Sequence, residues 1–302
     1  MKKLSNLLCT LLALMLLTCS ALADVPTADR AGNAIQLPEK VERIVCLAPA
    51  TAQILESLNL MDKVVGVDNQ TPLYVNGTDD LPQFDVMAPD VESIAMLEPD
   101  LVFTTGMSYL DGNPFALLTQ LNICVVDIPS SNSLQAVYDD IVFTAACVHQ
   151  EEAGKAIADE MMEKINELAA IGATIEEKKT VMFEIGAMPW LYSFGSGVYL
   201  DEMITLLGGV NVLGQQEGWI MVSAEDAVAA NPDVILTSVN YIEDAVGEIM
   251  AREGWKDVTA VKNGDVYYID NTASSQPNHH LVQAMTEMAL ALYPDAFGAY
   301  AE

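Results

Sequence analysis

Positive charge is scarce in this chain, and the scarcity removes several kinds of partner. Only 13 lysines and arginines stand against 43 aspartates and glutamates. Nucleic acid, whose phosphates must be met by cations, is excluded as a partner. An anionic membrane surface is excluded on the same ground. Most of the acids read as a solvated surface. Histidine is rarer still, with 3 copies, and neither a His-x-x-x-His spacing nor a paired Cys-x-x-Cys occurs. A bare metal site of the usual spacing is therefore not expected. Glycine-rich phosphate loops, nucleophile elbows and cluster-ligating cysteine sets are also missing, which argues against nucleotide, hydrolase and iron–sulfur chemistry. Beyond residue 23, no unbroken apolar stretch approaches the ~18 residues a membrane helix needs.

The chain does have apolar mass. It is 51% hydrophobic and only 19% charged over 302 residues, enough for the cores of two ordinary domains. Residues 1–23 read as an export signal: Lys2 and Lys3, an apolar run from Leu7 to Leu17 broken by Cys9 and Thr10, then Ala21-Leu22-Ala23 before Asp24. Leu16-Leu17-Thr18-Cys19 also resembles the lipid-attachment box of bacterial lipoproteins. Cleavage after Ala23 and anchoring at Cys19 both place the chain outside the cytoplasm. Loss of Lys2 and Lys3 leaves 11 basic residues against 43 acidic ones, a net charge of −32. The mature chain keeps Cys46, Cys124 and Cys147, an odd count that argues against a full disulfide framework. Cys46 and Cys124 sit in apolar runs and read as buried thiols.

Short runs rich in valine and isoleucine alternate with helical segments, the mark of an α/β fold. Strands are expected at Arg43–Leu47, Val64–Val67, Leu101–Thr104, Ile123–Asp127, Thr180–Ile185, Val234–Thr237 and Val266–Ile269. They lack polar alternation, as parallel strands covered on both faces should. The segment 133–170 has no proline and one internal glycine, Gly154. Ser133 can cap it, and Ile157, Met161, Ile165 and Leu168 recur at helical spacing. It is expected as one long spine helix between an N-terminal lobe, 24–132, and a C-terminal lobe, 171–302.

An internal repeat supports two lobes. Glu92 through Pro99-Asp100 to Thr104 matches Glu225 through Pro232-Asp233 to Thr237, 133 residues on. In each copy a glutamate opens a short helix, where a carboxylate suits the positive end. Proline then stops the helix, and aspartate leads into an apolar strand. Two related parallel-sheet lobes facing each other across a cleft follow.

With these pieces in order, the chain resembles the periplasmic binding proteins for iron-siderophores, haem and cobalamin, whose two lobes are joined by one long helix. Asp29 to Ile35 with Leu37-Pro38 is similar to that family's entry hairpin. Arg43 to Thr51 is similar to its first strand and ligand loop, and Val64 to Asp68 to its second strand. The glutamate–proline–aspartate pair, Leu207-Gly208-Gly209-Val210-Asn211, Trp255 with Ala260 to Tyr267, and Leu292 to Phe297 complete a match that runs from Asp29 to Phe297. The resemblance implies the binding component of an ABC importer, a monomer with no cofactor of its own. It implies a metal chelate carried between the lobes and a permease dimer, with its ATPase subunits, as partner. It places permease-docking glutamates at Glu92 and Glu225. A symmetric pair of helix-start carboxylates agrees with that role, and ordinary helix-start acids are the plainer alternative.

In open α/β sheets ligands collect beyond the carboxyl ends of the strands. That rule selects Thr51, Tyr109, Trp190, Trp219, Tyr241, Asn278, His279 and His280. The aromatics suit a large flat ligand, with packing in a core as the alternative. His279 and His280 would meet a metal only through a chelate, as axial nitrogen ligands; otherwise they serve as loop hydrogen-bonders. None of the basic residues lies in these loops, so a strongly anionic ferric chelate is disfavoured. Cobalamin or a neutral or cationic siderophore is favoured, and haem stays in view because of the histidines and tyrosines. Two other classes compete: a two-lobed chelatase-like or redox enzyme, and a surface receptor for a protein.

Overall fold

The computed structural model describes residues 25–109 and 112–301, so the expected leader and Cys19 lie outside the described residues. The N-terminal lobe runs β1 (Ile44–Cys46), α1 (Pro49–Ser57), β2 (Val64–Asp68), β3 (Gln83–Phe84), α2 (Val91–Met96), β4 (Leu101–Thr104), α3 (Ala116–Gln120) and β5 (Cys124–Asp127). Its strands are parallel and ordered β3-β2-β1-β4-β5. Two helices, α4 (Leu134–Cys147) and α5 (Glu151–Gly172), lead to the second lobe. That lobe runs β6 (Thr180–Glu184), β7 (Tyr192–Phe194), α6 (Tyr199–Leu206), β8 (Val210–Asn211), β9 (Trp219–Met221), α7 (Ala224–Ala230), β10 (Val234–Thr237) and α8 (Ala245–Ala251). It closes with α9 (Thr259–Asn263), β11 (Val266–Tyr268), α10 (Asn271–Ser274), α11 (Leu281–Leu292) and α12 (Pro294–Phe297). A parallel sheet ordered β11-β10-β6-β8 forms its centre, and β7 pairs with β9 antiparallel beside it.

The central strands are buried along their whole length, which is why they carry valine and isoleucine without alternation. The two copies of the repeat make the same local contacts. Asp100 Oδ2 accepts from the Glu42 and Arg43 N–H groups at 2.7 and 2.9 Å, pinning the entry to β1. Asp233 Oδ2 accepts from the Thr180 N–H and hydroxyl at 2.8 and 2.7 Å, pinning β6. Before each proline the chain turns through the left-handed region, at Glu98 with φ +47° and Asn231 with φ +44°. Asparagine tolerates that region better than glutamate.

The segment expected as one spine helix is two. Ser133 caps α4 as its sequence suggests, its hydroxyl accepting from the Ala136 N–H at 3.2 Å. The chain then breaks at His149, which has φ +60°. The Gln150 N–H reaches Ala145 O and the His149 N–H reaches Ala146 O, a helix-ending motif that usually employs glycine. No glycine or proline marks the break, and His149 Nε2 is fixed 2.9 Å from Pro38 O. Helix α5, 22 residues long, is the connector. At Gly154 it passes so close to α4 that a Cβ would overlap Ala145, and at Gly172 one would overlap the backbone of Leu206.

One apolar core runs from the first sheet through Val137 and Ile141 of α4, Met161, Ile165 and Leu168 of α5, and Met285 and Met288 of α11, to the second sheet. Cys46, Cys124 and Cys147 are free thiols. Burial pushes Cys46 up to about 12 and Cys124 up to about 11, so neither is a ready nucleophile. Among the described residues no helix is long and apolar enough to cross a membrane.

Candidate functional site

The loops after all five strands of the N-terminal sheet converge on one cavity of about 500 Å³. Ala48 to Thr51 follow β1, Asn69 and Gln70 follow β2, and Asp85 to Met87 follow β3. Thr105 and Met107 follow β4, and Ile128 to Ser131 follow β5. The second lobe closes one side with Ser275, Gln276 and Pro277. A second cavity of about 280 Å³ shares Ser130, Ser131, Ser275 and Pro277 with the first and continues it toward Ile185, Tyr199, Trp219, Ser238 and Asn271. Together they make the cleft that parallel-sheet topology predicts beyond the strand ends.

The two sides of this cleft differ in chemistry. The charged lining residues are Asp68 and Asp85 of the first lobe and Asp140 of α4. No lysine, arginine or histidine lines either cavity among the described residues. Burial raises the Asp68 carboxyl above its ordinary range, against the pull of the Gln70 and Val86 N–H groups it accepts from. Burial also raises Asp140, opposed by the Ser131 hydroxyl and the Arg30 guanidinium bonded to it. The second lobe offers aromatic surface instead. Trp219 on β9 is braced edge-on by Phe194 and Tyr199, with ring centroids 5.8 and 6.0 Å away. Tyr199 is itself tied down, its hydroxyl donating to Ser274 O at 2.9 Å. A braced indole with an open face is a stacking platform.

Thr51 and Trp219 stand in the cleft lining. The other residues selected from the sequence do not line either cavity, for reasons that are local. Tyr109 packs into the core of the first lobe, its ring centroid 5.8 Å from that of Phe115. Burial, with the charges of Asp127 and Asp29, pushes its phenol up to about 12. Trp190 and Tyr241 are 71% and 68% exposed on neighbouring loops. The Tyr241 oxygen accepts from the Ala187 N–H at 2.8 Å.

Asn278, His279 and His280 do not face the cleft as the sequence suggested; they join the lobes. Asn278 is fully buried, its Nδ2 donating to Gln53 Oε1 on α1 at 2.6 Å, while its Oδ1 accepts from the His280 N–H. His279 Nε2 and the Ser57 hydroxyl are bonded at 2.8 Å. Burial and the neighbouring His280 push His279 down to about 4, so it is neutral and wedged between lobes. His280 faces a separate recess beside Glu56 and Asp270. Glu92 and Glu225 are exposed in the first turns of α2 and α7. Sequence reasoning passed over Asp85, Asp140, Thr144 and Tyr199. The two-residue strand β3 is too short to announce the Asp85 loop, and Asp140 resembles an ordinary surface acid of a helix.

Comparison with known proteins agrees with this architecture. The periplasmic binding protein family model matches residues 44–273. YvrC of Bacillus subtilis, an uncharacterised ABC transporter substrate-binding lipoprotein, is 28% identical over 275 residues, covering 90% of this chain and 86% of the relative. The vitamin B12-binding protein of Vibrio campbellii is 24% identical over 251 residues, 82% of this chain and 88% of its own. The molybdate-binding protein MolA of Haemophilus influenzae is 27% identical over 328 residues, 98% of this chain and 92% of its own. The structure of MolA bound to molybdate superposes with a TM-score of 0.79 at 22% identity, covering 92% of this chain and 93% of that one.

Proposed function

The chain belongs to the periplasmic binding protein family, and from that membership we propose that it is the extracytoplasmic substrate-binding component of an ABC importer for a chelated metal, carried as an uncharged or cationic complex. No catalytic residue is assigned. The observation that carries the ligand class is the lining: Asp68, Asp85 and Asp140 on one side, the last paired with Arg30 outside the lining, aromatic surface on the other, and no lysine, arginine or histidine lining either cavity among the described residues. A ferric citrate or catecholate complex would enter a negative site without a guanidinium to meet it. Haem would bring propionates with no partner. Cobalamin, net neutral with a flat apolar face and a rim of amides, suits both walls, and a neutral or cationic siderophore comes next. Calorimetric titration tests this. Cyanocobalamin should bind one per chain, at least about ten-fold tighter than ferric citrate, a difference of about 1.4 kcal/mol. The reverse order would sink the charge argument.

A second reading, a bare oxyanion such as molybdate, is favoured by one observation. The first turn of α1 carries no side-chain cap where it meets the cavity. The three lining carboxylates weigh against it, and molybdate belongs in the same titration.

Glu92 and Glu225 serve as the two handles for a permease dimer. They stand in equivalent turns of the repeat, and neither lines the cleft. Replacing both with alanine should leave ligand affinity unchanged and lower uptake by roughly ten-fold or more, the scale of losing charge-assisted contacts. Normal uptake would return them to ordinary helix-start acids. The leader is either removed after Ala23 or replaced by a lipid on Cys19, and the mass of the mature amino terminus distinguishes the two.

A further inference from the structure

The floor of the larger cavity contains hydrogen-bond donors with nothing to donate to. Helix α1 is nine residues long and begins at Pro49, with Ala48 as its cap residue. Alanine has no side-chain oxygen to offer the first turn, and no acid stands in that turn. Proline removes one of the free N–H groups, and the Ala52 N–H is taken by Ala48 O. The N–H groups of Ala50 and Thr51 remain, without a partner among the described residues. The Thr51 side chain also lines the cavity, although the residue is only 4% exposed.

An independent element points to the same missing group. Thr144, on α4 one turn after Asp140, lines this cavity while fully buried, and its hydroxyl has no hydrogen-bond partner. A buried hydroxyl left unpaired costs folding free energy, and a binding site is one place where that cost is recovered.

We propose that the start of α1 and the hydroxyls of Thr51 and Thr144 form a subsite for an uncharged oxygen of the ligand, an amide carbonyl or a hydroxyl. This rests on the importer reading and narrows it. Two backbone donors at a helix start would suit an anion if nothing else were near. Here Asp68 and Asp85 line the same cavity with no cation beside them, and Asp140 already holds Arg30, so a full negative charge loses what a neutral carbonyl keeps. A primary amide fits both features, because its N–H groups can turn to the carboxylates while its oxygen takes the donors.

Cyanocobalamin and molybdate are the probes, titrated into the wild-type chain and into T51V, T51S and T144V. T51V keeps the shape and loses the hydroxyl; it should weaken cyanocobalamin by about 5- to 10-fold, while T51S stays within about two-fold. T144V should move two readouts in opposite directions. It removes an unpaired buried hydroxyl, so the thermal midpoint of the free protein rises while cyanocobalamin affinity falls. Wild-type binding with T51V and T144V unchanged overturns the subsite and leaves the importer reading standing. A wild type that ignores cyanocobalamin overturns the amide-bearing ligand class and the subsite together. Molybdate bound more tightly than cyanocobalamin, and lost in T51V, would seat an oxyanion there and overturn the uncharged assignment.

Discussion

In the C-terminal lobe, strand β6 ends on Glu184, 1% exposed and gripped by Arg252 through bonds of 2.8 and 3.2 Å. Arg252 is also bonded to Glu248 and lies 4.6 Å from the centre of the Trp255 ring. In the N-terminal lobe, strand β5 ends on Asp127, 5% exposed, whose Oδ1 has no partner. Burial, with the charge of Asp29, pushes that carboxyl up to about 6. The lobes share a repeat and a sheet type, yet one clamps its buried carboxylate and the other leaves it unpaired. The duplicated Pro–Asp unit governs how strands are pinned; it does not govern electrostatics at the strand ends. The carboxylates without a cationic partner gather in the first lobe, the same side that lines the cleft with Asp68 and Asp85; Asp140 of α4, beside them, is paired with Arg30.

The lobes should diverge most under Arg252→Met. That change strands Glu184 in the core and should cost about 3–5 kcal/mol in urea unfolding. The nearest counterpart on the first-lobe side, Arg30→Met, touches a pair with Asp140 whose arginine is 32% exposed and whose carboxylate is 10% exposed. It should cost less, about 1–3 kcal/mol, because water reaches the arginine's side of the pair and Asp140 keeps its bond from Ser131. Equal losses would mean that the C-terminal clamp is no stronger than this half-open pair.

A smaller effect is expected at Asp127, with a defined pH window. Between about pH 4, where an ordinary aspartate has released its proton, and about pH 6, the folded chain still holds a proton that the unfolded chain has lost. Ionising Asp127 therefore costs stability progressively as pH rises through that window, and the cost is absent below it. Asp127→Asn should stabilise the chain by about 1–2 kcal/mol at pH 7 and leave it unchanged at pH 4. A variant no more stable than wild type at pH 7 would remove the contrast with Glu184.

Both lobes were legible in the sequence where local pattern and burial coincide. The runs at Leu101–Thr104 and Val234–Thr237 are strands over those same residues because each is buried end to end. Strands β3 and β8 hold two residues each and leave no pattern to read. The break at His149 is invisible because its cause is a left-handed residue held by Pro38 O, 111 positions away. The strand-end rule located the cleft, but it says nothing about where a side chain turns. Trp219 is held in the cleft by Phe194 and Tyr199, whereas Trp190 on a nearby loop meets solvent. The strand-end rule and the adjacent histidines point to Asn278 and His279 as ligand groups, and neither signal carries what these side chains pair with. Their partners, Gln53 and Ser57, are more than 220 residues earlier.

The glycines at the two ends of α5 have a mechanical consequence. Gly154 lets the helix press against Ala145 of α4, and Gly172 lets it press against Leu206 of the second lobe. Held closely near both ends, α5 is expected to act as a strut, since a bend at either glycine must displace one of those neighbours. On the importer reading, cargo is expected to enter by movements of rim loops and side chains rather than by a hinge in α5. Unloading is a different event. On the same reading, spreading the lobes would shear the core of α4, α5 and α11 that runs between them, so the work for it is expected to come from outside the chain.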